Sequence, residues 1–186
     1  MRKEQKANYP ESARGAAALL VRMVLEDGAY TNIALNQYLR GSRLSDLDRR
    51  LATELVYGTV KASGTLDWYL AQCVSRPLDK VAGDILAILR ISTYQLLYMT
   101  RIPASAAVNE AVKLARSVSH EGSAKFVNGV LRGLLRKQEA GAFVLPDAEK
   151  QDADYLSLKY YHPRWLVKRW LGPWGRGGTE RLLAFD

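Results

Sequence analysis

Apolar residues recur at three- and four-residue spacing along most of the chain, and no stretch alternates apolar and polar positions long enough to make a strand. The pattern predicts a succession of amphipathic helices. Ser12 can cap a first helix carrying Ala13, Ala17, Leu20, Val21, Val24 and Leu25, ended by Gly28. Thr31 can cap a short second helix with Ile33, Leu35, Tyr38 and Leu39. Ser45, with Asp48 three residues on, opens a third that bears Leu47, Leu51, Leu55 and Val56. A fourth starts at Thr65 and stops before Pro77. A long fifth is expected from about Asp79 to Thr100, with Val81, Ile85, Leu89, Ser92 and Leu96 at helical spacing. Pro103 breaks the chain, and Ser105 caps a sixth, "AAVNEAVKLARSV".

Residues 124–137, "AKFVNGVLRGLLRK", follow Gly122 and Ser123 and contain Asn128-Gly129, a turn dipeptide. Neither flank alternates as hairpin strands would. Phe126, Val127, Val130, Leu131, Leu134 and Leu135 instead form one apolar stripe, so a seventh helix is expected. Each interior glycine costs that helix about 1 kcal/mol relative to alanine. Gly129 and Gly133, four residues apart, are expected to let another backbone approach closely. The remaining surface carries Lys125, Arg132, Arg136 and Lys137, with no acid from Ser123 to Gln138.

The periodicity lapses around 138–151, where Gly141 and Pro146 fall, and this reads as a linker. Beyond it come a helical piece near Asp152–Tyr160, a second with Pro163 at its first turn, a break at "GPWGRGG", and a last piece capped by Thr179. The expected organisation is all-α. A bundle of about seven helices fills 1–138, a linker 139–151, and a short helical extension 152–186 that either packs on the bundle or begins something longer.

Charge sharpens this picture. A formal net charge of +8 favours a polyanionic partner. The cations cluster on the N-terminal arm (Arg2, Lys3, Lys6, Arg14), on 124–137, and in "KYYHPRWLVKRWLGPWGR", which holds Arg164, Lys168 and Arg169 and no acid. Aromatic residues interleave that last stretch, and aromatic faces can stack bases while cations take phosphates. A short helix also needs large anchors, so Trp165 and Trp170 read as packing residues.

Candidate catalytic chemistry is sparse. His120 and His162 have no metal-ligand partner at useful spacing. Cys73, the single cysteine, falls in an amphipathic helix and reads as a small core residue. The acids suggest no catalytic pair. "GPWGRGG" follows no strand and is no phosphate-binding loop. No apolar run is long enough to span a bilayer and the N-terminus has no signal-like apolar stretch, so the cytoplasm is expected.

Several motifs together carry a resemblance. "ILRISTYQLLYMTRIPASAAVNEAVKLARS" followed by "SAKFVNGVLRGLLRK" closely resembles the NusB family of small helical RNA-binding domains, over about residues 10–138. "YGTVKASGTLDWYLAQCVSRPL" and "KYYHPRWLVKRW" are similar to the beginning of the RsmB (Sun, Fmu) family. That family methylates C5 of a cytosine in small-subunit ribosomal RNA with S-adenosylmethionine. The resemblance implies RNA contact through the arm and places Arg90, Lys125 and Phe126 near RNA or a partner. It implies a downstream methyltransferase domain as a further partner, and neither membrane nor DNA. The family's cofactor sheet and catalytic cysteines have no counterpart here and Cys73 matches no such motif. No cofactor is therefore expected in this chain, and S-adenosylmethionine is expected for the parent protein. Two other readings stay open: a stand-alone antitermination factor that pairs with a ribosomal protein, and a docking domain that barely touches RNA.

Overall fold

The computed structural model describes residues 7–185. They form α1 (Ala13–Leu25), α2 (Thr31–Gly41), α3 (Asp46–Lys61), α4 (Ser63–Ala71), α5 (Gly83–Tyr98), α6 (Ala104–Val118), α7 (Glu121–Glu139), α8 (Asp152–Tyr160) and α9 (Arg164–Phe185). A 3-10 turn covers Leu78–Lys80, and there is no strand among the described residues. The fold is all-α, as the periodicity predicts.

The centre of the bundle is α5. Ile85, Leu86, Ala87, Ile88, Leu89 and Ile91 are buried on every side of it, the pattern of a helix surrounded by others. It touches α1, α3, α4, α6 and α7. The amphipathic helices turn one face to it: α1 with Leu20 and Val21, α3 with Leu55 and Val56, α7 with Val127, Leu131 and Leu134. Buried polar groups on α5 are paired where they carry amides. Gln95 donates from Nε2 to the Ile91 carbonyl (3.1 Å) and accepts at Oε1 from Arg14 Nε (2.8 Å).

The helix starts divide into two kinds. Ser12 Oγ accepts from the Gly15 amide (3.0 Å) and Ser45 Oγ from the Asp48 amide (3.1 Å), as their spacing predicts. Other starts shift. Tyr30, not Thr31, precedes α2, and makes no side-chain cap. Helix α4 begins at Ser63, and Thr65 is buried with its hydroxyl donating to the Leu158 carbonyl (3.4 Å). The long helix expected from Asp79 is interrupted: Val81 and Ala82 are extended, which turns Val81 into the core before α5 starts. Ser105 lies inside α6, whose flanking residue is Pro103. The cap of α7 is His120, whose Nδ1 accepts from the Ser123 amide (3.3 Å), so Gly122 and Ser123 already belong to the first turn.

Two glycine expectations are overturned. A Cβ at Gly129 would meet no atom within 4 Å, and one at Gly133 only the guanidinium of Arg136 at 3.8 Å. No other backbone closes on α7 there, because α7 meets its neighbours through its apolar stripe. The close approaches are at other glycines: a Cβ would fall 2.1 Å from the Pro10 carbonyl oxygen at Gly15, 2.1 Å from Cζ of Tyr94 at Gly58 and 2.2 Å from the Glu26 carboxylate at Gly83.

The extension carries a small cluster of its own, Ala153, Leu156, Val167 and Leu183, with Trp170 against it. Trp165 is 65% exposed and takes no part in that cluster, so it does not anchor the helix. Thr179 is fully buried and does not cap. Helix α9 bends at Gly175, where φ is 58°. The extension meets the bundle through the Thr65–Leu158 bond and through Tyr161, whose ring stands edge-on to Tyr98 at 4.9 Å. Within 139–151, Phe143 packs edge-on against Tyr69 at 4.8 Å.

Candidate nucleic-acid interface

The predicted cationic site residues separate into three groups. Arg2, Lys3 and Lys6 lie outside the described residues. A second group is tied into the protein. Arg14 is committed to the buried Gln95. Arg90 makes a two-pronged bond to Asp67, Nε to Oδ1 and Nη2 to Oδ2, both 2.8 Å, with its side chain only 12% exposed. It therefore fastens α5 to α4. Arg164 pairs with Asp154 across α8 and α9, and that hydrogen bond holds its guanidinium further into the charged form. The third group is exposed: Lys125, Arg132 and Arg136 on α7, and Lys168 and Arg169 on α9.

The α7 residues form the tightest set. Lys125, Gly129, Arg132 and Arg136 fall at i, i+4, i+7 and i+11, one stripe on the face opposite the apolar one. All four are exposed. Asn128 Oδ1 accepts from Arg132 Nε (2.9 Å), and the Arg132 side chain is exposed. The acids of α7 stand at its two ends. Glu121 is taken by Arg116 (2.6 Å), whose hydrogen bond keeps that carboxyl below its ordinary range.

Phe126 is half-buried against the core, and the Arg76 guanidinium lies over its ring, 4.8 Å from the centroid. The other end of the same segment meets α7 where Lys137 Nζ donates to the Gln72 carbonyl. Residues 72–76 thus run alongside α7. Arg76, Lys80, His120, Ser123 and Phe126 line a groove of about 340 Å³. A neighbouring groove shares Ala82, Ile85, Ser119 and His120 with it and adds Ala7 and Asn8. The beginning of the described chain is held there by Tyr9, whose hydroxyl donates to Asp84 Oδ1, while Arg22 Nη1 donates to the same oxygen (2.6 Å). Burial, reinforced by the Asp84 carboxylate, pushes the Tyr9 phenol well above its ordinary value.

Arg76, Lys80 and Asn128 are not among the site residues the sequence points to, Asn128 being read there only as half of a turn dipeptide. Arg76 reaches Phe126 across fifty positions, and no local pattern can signal such a pair. Cys73 is half-buried and burial raises its thiol, as in a packing residue.

The model of the NusB family matches residues 11–136, more than half of the chain. The chain belongs to the NusB family. Two curated relatives extend the match beyond the bundle. A probable ribosomal RNA small subunit methyltransferase B of Synechocystis is 40% identical over 174 residues, 94% of this chain and 38% of the relative. One of Bacillus subtilis is 36% identical over 171 residues, 92% of this chain and 37% of the relative. The chain therefore spans less than two-fifths of the length of these relatives. Among solved structures, the antitermination factor NusB in complex with NusE and double-stranded RNA matches with a TM-score of 0.62 at 20% identity. That match covers 68% of this chain and 95% of the other. No helix among the described residues is long and apolar enough to cross a membrane.

Proposed function

We propose that this NusB-family chain is an RNA-binding module that positions small-subunit ribosomal RNA for a methyltransferase domain. The observation that carries the reading is the α7 stripe, three exposed cations on one helix face with no acid between them. Such an array contacts phosphates, which orient an RNA without reading its sequence. The groove beside it supplies Arg76, Lys80 and Phe126, next to Ala7 and Asn8 at the beginning of the described residues. Lys168 and Arg169 on α9 add a second, separate patch. The relatives named as methyltransferases, and their greater length, support a parent protein that transfers a methyl group to cytosine C5 from S-adenosylmethionine in the cytoplasm. In this reading the bundle, the 139–151 segment and the 152–186 extension contribute binding and placement, and the cofactor is held elsewhere.

Fluorescence anisotropy with a small-subunit ribosomal RNA fragment tests the proposal. Arg132→Ala/Arg136→Ala is expected to weaken binding about tenfold or more, since two charge-assisted phosphate contacts are lost. Its melting should stay within about 0.5 kcal/mol of the parent, because exposed charges contribute little to stability. Equal affinity in the double variant would contradict the assignment and favour a docking domain with little RNA contact.

A further inference from the structure

Gly129 sits in the middle of the cationic stripe, at an exposed position inside a regular helix. A glycine there weakens the helix relative to alanine. Nothing within the fold compensates, since a Cβ at this point would meet no atom within 4 Å. What the missing side chain does create is a bare patch of helix backbone flanked by three cations, Lys125 one turn before it and Arg132 and Arg136 after it. From Lys125 to Arg136 the stripe is about 16 Å long. Arg132, one turn past Gly129, is tethered through Nε to Asn128 Oδ1 (2.9 Å).

We infer that Gly129 is the point of closest approach for a sugar–phosphate strand lying along α7, with Lys125 on one side of it and Arg132 and Arg136 on the other. The inference rests on the RNA-binding reading and adds the seat of the strand to it. With no side chain at 129, the ribose–phosphate chain lies against the helix backbone, and the long cationic side chains reach phosphates on either side without being held off. A Cβ lifts the strand away from the helix and lengthens the flanking contacts. The partner recognised is the backbone of RNA, so the effect is the same for unrelated base sequences.

Gly133 provides the internal control. It is in the same helix and gains the same helix propensity on substitution, but it is half-buried at the edge of the stripe, where a Cβ would meet the Arg136 guanidinium only at an ordinary van der Waals distance of 3.8 Å. Gly129→Ala and Gly133→Ala should both raise the melting temperature. Only Gly129→Ala should weaken binding to the small-subunit ribosomal RNA fragment, several-fold. Gly129→Leu should weaken it about tenfold or more, and by the same factor for an RNA of scrambled sequence. If Gly129→Ala and Gly129→Leu both bind as the parent does while Arg132→Ala binds weakly, the strand's seat is wrong and the RNA-binding reading stands. If Arg132→Ala also binds as the parent does, the RNA-binding reading itself falls, and this inference with it.

Discussion

At the scale of single residues, the structure separates cations that hold the protein together from cations that face outward. Arg90 and Arg132 both sit within helical runs of the sequence, yet one is enclosed by Asp67 and the other exposed. The difference comes from what lies opposite each in space. Asp67 is twenty-three residues from Arg90 and on another helix, so the sequence around Arg90 cannot announce the pair. Asp67→Asn keeps the shape but removes the counter-charge from a nearly buried guanidinium. It should destabilise the fold by about 1–3 kcal/mol, read from the denaturant midpoint. An unchanged midpoint would mean that Arg90 finds water as easily as it finds Asp67. The glycines teach the same lesson. Gly129 and Gly133 have the i, i+4 spacing of a helix contact, but close approaches fall at other glycines, such as Gly58, where the ring of Tyr94 occupies the space, and Gly15, against the Pro10 carbonyl. Spacing shows that two glycines share a face; it does not show which neighbour, if any, meets that face.

At the scale of elements, helical periodicity was legible almost everywhere and helix starts only in part. Ser12 and Ser45 cap as expected because a serine before an apolar-periodic run has a local job that does not depend on tertiary contacts. His120 caps α7 with a ring nitrogen, a role its residue type does not advertise. The break at Val81 and Ala82 was hidden because Val81 keeps helical spacing with Ile85 while being buried by an extended backbone. Tyr9 is another element-scale device, fastening the segment before α1 to the first turn of α5 through Asp84. Its phenol ionises near 10.0 when unperturbed and is raised in the fold, first by burial and then by Asp84. Folding therefore favours the protonated phenol. That contribution is complete below about pH 10 and declines as pH rises through and beyond that value. Thermal melts of the parent should lose stability steeply above about pH 10, and Tyr9→Phe should flatten that loss. A Tyr9→Phe profile parallel to that of the parent would show that Tyr9 is not a source of the alkaline dependence; Tyr98, also raised chiefly by burial, would remain as one.

At the scale of the whole molecule, a net charge of +8 becomes a directed surface. Several acids are engaged within the fold: Asp67 on Arg90, Asp84 on Tyr9 and Arg22, Asp154 on Arg164, Glu121 on Arg116, Glu180 on Lys159 and Tyr160. The stripe on α7 is left with cations alone. Its existence was legible from the acid-free run between Ser123 and Gln138. Its flank was not, because Arg76 and Lys80 join it only through the path of the chain between α4 and α5. The measurement that bears most directly on the account is the salt dependence of RNA binding. Each phosphate contact adds about 0.7 to 0.9 to the slope of log affinity against log salt. The parent chain should show a slope of magnitude about 2 or more, and Lys125→Ala/Arg132→Ala/Arg136→Ala should lower it by about 2. Parallel salt plots for the two proteins would contradict the claim that this helix face carries the RNA.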